Sequence, residues 1–347
     1  MTAKNGRFAF FAALSARGLD RAGSGRYDRT VNKEETPPAV PGRAKRRPEG
    51  QGEALMLTTI KNTTITVTAS THGAELQSIE SAEGISYLWN GDPAHWSGRA
   101  PLLFPFVGAL RGDCAACGAG EIRLPKHGFA RKKEWTLEEA GEDFAVYRLE
   151  SDDATRAGYP YDFALRARYT LGDHSVTTAF LVKNTGERVM PYSIGGHPAF
   201  HVPLAAGENF EDYYLEFEQP ETADCPRIDL EQCLLIDTSR NRVMTETRTL
   251  SLNHVMFRGD ALVFDRLKSR RVRLLSRKSG RGVQMDFPGM DFFAVWSPAA
   301  DAPFVALEPW TGTGTQVSED DVFEHKQGIR RLEPGQEDTV AFTVTVL

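Results

Sequence analysis

The sequence predicts an all-β fold, a single large antiparallel β-sandwich that spans residues 56–347. The first indication is that apolar and polar residues alternate with a period of two over many short segments rich in β-branched and aromatic residues. The second is that no segment of this region shows convincing helical periodicity over twelve or more residues. Gly, Pro, Asn and Asp separate the segments, so consecutive strands are expected to pair antiparallel without intervening helices.

The last segment of the chain shows this alternation most clearly. Val340, Phe342, Val344 and Val346 share one face of a predicted strand over Thr339–Leu347, and Thr or Ala occupies the other face. The same pattern, less regular, predicts strands over residues 64–68, 144–149, 163–169, 175–182, 213–217 and 292–296. Because no linker-like composition divides these segments, we expect one domain.

Residues 1–55 differ from the rest of the chain in charge. They carry 11 Lys and Arg against 6 Asp and Glu, whereas residues 56–347 carry 30 against 41. Their one short apolar patch, Phe8–Ala16, buries too little surface to offset the entropy cost of ordering. We therefore expect a disordered leader or a start site assigned too far upstream. A secretory signal and a transit peptide are the alternatives.

The composition excludes several classes of protein. A formal net charge of −6 argues against a nucleic-acid partner. No run approaches the ~18 consecutive apolar residues of a membrane span, so no membrane partner is expected. The chain has 4 cysteines, which as free thiols are typical of a reducing cytoplasm. Cys114 and Cys117 have CxxC spacing, but Cys225 and Cys233 do not complete a zinc pattern, so no metal is expected.

Four residues in loops or at strand ends are candidates for chemistry. His197 lies in a Gly-Gly-His-Pro turn, where glycines allow the backbone to approach a ligand closely, and His127 precedes Gly128. Taken alone, a histidine in such a position is more often a turn residue with a satisfied hydrogen bond. Glu308 follows an apolar run, where a carboxylate is costly unless it is paired or employed. Trp310 offers an aromatic face to a sugar ring or to the core.

These motifs, taken in order, resemble the aldose 1-epimerase (galactose mutarotase) superfamily, and in particular its LacX-like branch. The resemblance covers residues 56–347, and its motifs are Arg99–Pro105, His127–Arg131, His197–Phe200, Asp260–Phe264, Phe293–Trp296, Glu308–Trp310 and Glu324–Ile329. It implies a large antiparallel β-supersandwich. The implied activity is the interconversion of α and β anomers of a free aldose, without metal or organic cofactor.

The resemblance also implies roles for individual residues. Glu308 takes the position of the general base, His197 that of the general acid, and His127 that of a sugar-binding residue. Arg99 and Asp260 take positions of substrate contacts. The galactose mutarotases have Asn-His-Pro at the acid position, whereas this chain has Gly-His-Pro, as the LacX-like branch does.

Two other functions remain open at this point. Basic residues near the motifs, which are Arg99, Arg111 and Arg131, leave room for a phosphorylated hexose, because guanidinium groups bind phosphate oxygens well. A carbohydrate-binding sandwich without turnover is the other alternative. The sequence does not indicate an oligomeric state.

Overall fold

The computed structural model describes residues 56–347, and the predicted leader lies outside the described residues. Within this part of the chain there are 22 β-strands. The first eleven are β1 (Leu57–Lys61), β2 (Ile65–Ser70), β3 (Leu76–Ser81), β4 (Leu102–Leu103), β5 (Cys114–Cys117), β6 (Gly120–Arg123), β7 (Thr136–Ala140), β8 (Phe144–Glu150), β9 (Phe163–Leu171), β10 (Ser175–Asn184) and β11 (Met190–Tyr192). The others are β12 (Gly195–Gly196), β13 (Ala199–His201), β14 (Tyr213–Asp229), β15 (Leu234–Ser251), β16 (Leu262–Phe264), β17 (Arg271–Ser276), β18 (Gly282–Asp286), β19 (Phe292–Trp296), β20 (Phe304–Trp310), β21 (Arg330–Leu332) and β22 (Glu337–Val346).

Helical structure in residues 56–347 is limited to single turns. One α-helical turn, α1, spans Asp153–Arg156. The 3₁₀ turns are Arg111–Asp113, Ala130–Lys132, Phe210–Asp212, His254–Phe257 and Phe323–His325. Among the helices of this part of the chain, none has the length and apolar character that a membrane span requires.

Two large sheets form the sandwich. The strand order is β15-β14-β17-β18-β22-β10-β9-β8-β7 in the nine-stranded sheet and β16-β19-β20-β12-β4 in the second sheet, where β13 also pairs with β20. The strand pairs in both sheets are antiparallel. The predicted all-β, antiparallel sandwich is therefore confirmed.

The strands predicted from alternation are all present, with small differences at their ends. The apolar face of β22, from Val340 to Val346, is buried as expected. The prediction for residues 213–217 is too short, because β14 continues to Asp229 and pairs with β15 in a hairpin of 17- and 18-residue strands. Register shifts interrupt this pairing after Glu216, and they break the period-two pattern on which the prediction depends.

Strand β20 holds the centre of the second sheet. It pairs with β19 on one side and with β12 and β13 on the other, and every residue from Phe304 to Trp310 is buried. Glu308 lies opposite Ala294 of β19, and Trp310 lies between Phe292 and Gly195. The carboxylate of Glu308 and the indole of Trp310 are therefore buried in a strand that has hydrogen-bonded neighbours on both sides.

Candidate active site

A cavity of about 330 Å³ opens beside β20. Five residues that the sequence singled out line it: His127, His197, Asp260, Glu308 and Trp310. They come from four separate places in the chain, and the fold brings them to one concave surface. A concave site of this size with a few converging polar groups is typical of a small-molecule site.

His197 and Glu308 are in direct contact in this cavity. The distance between Nε2 of His197 and Oε2 of Glu308 is 3.2 Å. Glu308 is only 2% exposed and His197 only 9%. The two groups can therefore exchange a proton with each other and with one bound molecule.

The two glycines before His197 allow the turn to pack closely against aromatic side chains. A Cβ on Gly195 would lie 2.4 Å from Cδ1 of Trp310, and a Cβ on Gly196 would lie 2.6 Å from the ring of Phe342. The sequence-based explanation, a backbone that approaches a ligand, is therefore replaced by one of close side-chain packing. The backbone N–H of His197 donates to the carbonyl of Pro101, at 3.1 Å, which fixes the turn against the strand β4 region.

His127 is held by the backbone of a neighbouring loop. Its φ of 69° is in the left-handed region, and its N–H donates to the carbonyl of Gly108 at 2.7 Å. Gly108 in turn packs so closely against Gly314 that a Cβ there would lie 2.3 Å from the Cα of Gly314. These contacts join the His127 loop to the loop after β20.

Burial sets the protonation of these groups. It raises the pKa of Glu308 well above its usual value, with a further increase from nearby Asp260, while the charge of Lys126 acts in the opposite direction. Burial, together with the positive charges of Lys126 and Arg131, lowers the pKa of His197 to about 3. Burial therefore favours the neutral form of the pair, in which the carboxyl group of Glu308 is protonated and the imidazole of His197 is uncharged.

Burial and charge act in the same direction on His127. Desolvation and the neighbouring positive charge of Lys126 lower its pKa well below the usual value for histidine. The imidazole is therefore neutral at pH 7 and can bind a hydroxyl group without adding charge.

Two charged groups lie at the cavity beside the pair. Nζ of Lys126 lies 3.7 Å from Oδ2 of Asp260, and Asp260 itself has a φ of 73°. Arg131 donates from Nη2 to the carbonyl of Lys126 at 2.9 Å. The carboxylate of Asp260 thus offsets the positive charge of Lys126. The hydrogen bond from Arg131 stabilises the loop that contains Lys126 and His127.

Four residues of the cavity wall carry buried polar atoms without a hydrogen-bond partner in the described chain. These atoms, for which residues 56–347 supply no partner, are Nε of Arg131, Nδ1 of His197, Nε1 of Trp310 and Oγ1 of Thr313. Buried polar atoms in folded proteins are nearly always paired. These four atoms are exceptions to that rule, and all of them belong to residues around one cavity.

Aromatic side chains enclose the imidazole of His197. The ring of Trp96 stacks on it with centroids 4.9 Å apart and planes at 29°. Trp296 presents its ring at 76° with centroids 5.7 Å apart. Both tryptophans line the cavity, so one face and one edge of the imidazole are in contact with indole rings.

Arg99 lies elsewhere. Its Nη1 donates to the carbonyl of Gln77 at 2.7 Å, and its N–H donates to Oε1 of Glu75 at 2.7 Å. It is not among the described residues of the cavity wall, because these bonds hold its side chain along β3. Arg111 pairs with Asp321 at 2.9 Å. Of the three arginines considered from sequence, only Arg131 lines the cavity.

Several wall residues were not among the sequence-based site residues. Thr313 and Gly314 belong to a Gly-Thr repeat that the sequence shows plainly, but which lacks the lysine of a phosphate loop. Trp96 precedes the Arg99 motif without a recognisable pattern. Ile228, Cys233 and Leu235 come from the end of the β14–β15 hairpin, where the sequence predicted no strand.

Comparisons with known proteins identify the family of this chain. The family model for aldose 1-epimerase matches residues 56–330. The plasmid-encoded protein LacX of Lactococcus lactis subsp. lactis is 40% identical over 294 residues, which are 83% of this chain and 98% of that protein. The chain belongs to the aldose 1-epimerase family. Within this family of carbohydrate epimerases it is LacX-like, as the sequence motifs predicted.

Solved structures share the fold. The galactose mutarotase related enzyme from Lactobacillus acidophilus superposes with a TM-score of 0.79 and 31% identity, over 84% of this chain and 97% of that one. A putative aldose 1-epimerase from Escherichia coli K12 gives 0.68 at 17% identity, over 85% and 99% of the two chains, and shows the fold alone. A shorter match, 35% identity over 79 residues, links 22% of this chain to 24% of a putative glucose-6-phosphate 1-epimerase of Salmonella typhimurium.

Proposed function

We propose that this protein is a mutarotase that interconverts the α and β anomers of a hexose, with Glu308 as general base and His197 as general acid. The observation that carries the proposal is the 3.2 Å contact between the two side chains inside a cavity. Family membership supports the reaction class, and the contact supplies the acid and the base that the reaction requires.

The reaction needs one proton removed and one proton delivered. Glu308 takes the proton of the C1 hydroxyl while the bond between C1 and the ring oxygen breaks, and His197 protonates the ring oxygen. The open-chain aldehyde then rotates about the C1–C2 bond. Closure runs the same steps in reverse on the other face, with His197 as base and Glu308 as acid, so that the pair regains its starting state.

The single proton of the pair suits this cycle. In the free protein burial favours the neutral form, with the proton on Glu308. A bound sugar places hydroxyl groups against the carboxylate and the ring oxygen against the imidazole. These hydrogen bonds stabilise the form with a carboxylate and an imidazolium, which is the form that starts ring opening.

The remaining cavity residues fit a sugar. His127 supplies a neutral imidazole, and Trp310 and Thr313 supply polar atoms with no partner in residues 56–347. Asp260 offers a carboxylate to a hydroxyl of the sugar. Alternating apolar and hydroxyl surface is the chemistry of a pyranose, and the indole faces with adjacent polar groups match it.

A hexose 6-phosphate is the second candidate substrate. Lys126 and Arg131 in the cavity wall favour it, and so does the short match to a putative glucose-6-phosphate 1-epimerase. Asp260 offsets the charge of Lys126, and the described region carries an excess of 11 acidic groups that repels phosphosugars at long range. We therefore place the neutral aldose first.

The test is the rate of anomer exchange with each substrate. Polarimetry of freshly dissolved α-D-glucose and α-D-galactose, and exchange NMR of glucose 6-phosphate, give the rates with and without protein. Acceleration of the neutral sugars supports the first candidate, and acceleration of glucose 6-phosphate alone selects the second. Saturable sugar binding without any acceleration would contradict both and indicate a binding protein.

A further inference from the structure

We infer that Trp96 is a positioning residue for His197: its indole face holds the imidazole ring beside Glu308 and stabilises the positive charge that the ring carries when it acts as acid. The inference rests on the proposed function of the Glu308–His197 pair. It adds a part of the machinery that comes from outside the sequence motifs.

The first observation is the geometry of the contact. The rings of Trp96 and His197 are nearly parallel, at 29°, with centroids 4.9 Å apart. The distance lies within the ~6 Å over which a cation on an aromatic face is attracted by the ring quadrupole, and tryptophan is the best of the aromatic residues for this contact. Glu308 contacts the imidazole through its Nε2 edge, so the face and the edge of the ring are held by different residues.

The second observation is that the surrounding structure fixes the indole. The backbone N–H of Trp96 donates to the carbonyl of Asp92 at 2.9 Å, and its carbonyl accepts from Nε1 of Trp89 at 2.8 Å. The ring also stacks on Phe304 at 28°, with centroids 5.7 Å apart. Trp96 is thus tied to β20 through Phe304, the same strand that carries Glu308.

The third observation is the glycine two residues later. A Cβ on Gly98 would lie 2.5 Å from Cζ2 and 2.7 Å from Cε2 of the Trp96 indole. Because the backbone of Gly98 has no positive φ, the conformation itself would admit alanine. The space at Gly98 is therefore occupied by the indole in its stacked position.

The charges around His197 explain why such support matters. The positive charges of Lys126 and Arg131, which line the same cavity, oppose protonation of the imidazole. The centroid of the neutral His127 ring lies 6.0 Å from that of His197. The carboxylate of Asp260 forms an ion pair with Lys126. Glu308 is the one carboxylate in contact with the His197 ring within residues 56–347, and it is also the base. The indole adds stabilisation of the imidazolium without adding another acid or base.

The test weakens the ring quadrupole while keeping the shape of Trp96. Tryptophans with one, two and three fluorine atoms are introduced at position 96 alone, by suppression of a nonsense codon. We expect kcat for α-glucose to fall stepwise, by about 2- to 30-fold over the series, with KM nearly constant. The ¹⁵N shifts of the His197 ring in the glucose-loaded protein should show a falling fraction of imidazolium.

A second variant moves the ring without changing it. Gly98→Ala should displace the indole and lower kcat in the same direction, while the exposed His95 of the same loop gives a control, His95→Ala, with kcat unchanged. A constant kcat and constant ¹⁵N shifts over the fluorinated series, or wild-type kcat in Gly98→Ala, would overturn the inference. The ¹⁵N measurement needs no turnover, so an inactive wild-type protein would overturn the proposed function separately.

Discussion

The Nδ1 atom of His127 accepts a hydrogen bond from the backbone N–H of Gly108, with 3.1 Å between the two nitrogens. Because this nitrogen is an acceptor, the neutral ring carries its hydrogen on Nε2. A low pKa keeps the ring neutral at pH 7. His127 therefore presents one N–H donor of fixed tautomer in the cavity wall.

His127→Asn should weaken substrate binding more than turnover. The Asn side-chain oxygen can take the place of Nδ1 and keep the bond from Gly108, and Asn tolerates the φ of 69° well. The variant loses the donor at Nε2, so we expect KM to rise about 10-fold, the effect of one hydrogen bond. Polarimetry gives kcat and KM, and a wild-type KM would contradict the assigned role.

Two neighbouring threonines should respond in opposite ways to the same substitution. Oγ1 of Thr313 has no partner in the described chain, whereas Oγ1 of Thr315 accepts from Nζ of the buried Lys326 at 2.8 Å. Thr313→Val should leave the free energy of unfolding unchanged or raised and should increase KM. Thr315→Val should lower that free energy by about 1–3 kcal/mol, because a buried ammonium loses an acceptor.

Urea unfolding of both variants, followed by kinetics, decides this prediction. Each variant serves as the control for the other, because the change in volume and polarity is identical. Equal losses of stability would show that Thr313 has a structural partner after all.

Glu308→Gln should abolish most of the turnover. The amide keeps the size of the carboxyl group but cannot take up a proton, so we expect kcat to fall by about 100-fold or more. The exposed Glu333 provides a control, Glu333→Gln, with unchanged rates. Wild-type turnover in Glu308→Gln would remove Glu308 from the reaction.

The same variant should alter how stability depends on pH. Native Glu308 keeps its proton above the usual pKa of 4.5, so its protonated form stabilises the fold at low pH, and this stabilisation is lost as the pH rises. The amide of Glu308→Gln does not titrate, so the stability of the variant relative to wild type should increase as the pH rises above 4.5, by up to about 1.4 kcal/mol per pH unit. Urea unfolding at several pH values measures it, and a difference that is constant with pH would contradict the buried, protonated state.

His197 should give a pH dependence of the opposite sign. Its pKa is lowered from 6.5 to about 3, so its neutral form contributes fully above pH 6.5, and the contribution is lost as the pH falls toward 3. Relative to wild type, His197→Gln should therefore gain stability between pH 6 and 4. A parallel loss in both proteins over this range would show that the imidazole titrates normally.

Removal of residues 1–55 should leave the activity unchanged. The cavity wall is built from residues between Trp96 and Gly314, and the motifs of the resemblance also lie after Met56. The truncated and full-length proteins are compared for kcat and KM with the same sugar. A loss of activity on truncation would show that the leader takes part in function.

The sequence was informative where one face of a strand is buried. The alternation from Val340 to Val346 predicts β22 well, because a period of two follows directly from the pleat. It failed beyond Phe217, since the register shifts between β14 and β15 remove the alternation. In this hairpin, buried residues such as Cys225 and Met244 are separated irregularly by exposed ones, so no regular apolar pattern remains to be detected.

The candidate site could be predicted where its residues belong to motifs that follow one another in the chain in the order of the family. His127, His197 and Glu308 were found in this way and do meet in the cavity. Trp96 was missed, because its importance depends on a stacking contact between residues about 100 positions apart. Arg99 was placed at the substrate by resemblance, whereas its guanidinium binds the carbonyl of Gln77, a backbone contact that no motif encodes.

The hairpin of β14 and β15 forms a wall of the cavity that is separate from the strand carrying Glu308. Glu308 and His197 lie on and beside the central strand of one sheet, whereas Ile228, Cys233 and Leu235 come from the edge of the other. The hairpin end is attached to the active-site loop by backbone bonds, from Leu235 to Thr315 at 2.9 Å and from Val317 back to Leu235 at 2.8 Å, which do not depend on side-chain identity. Side chains at the hairpin end can therefore be exchanged, and the cavity wall reshaped, without moving the contact between Glu308 and His197.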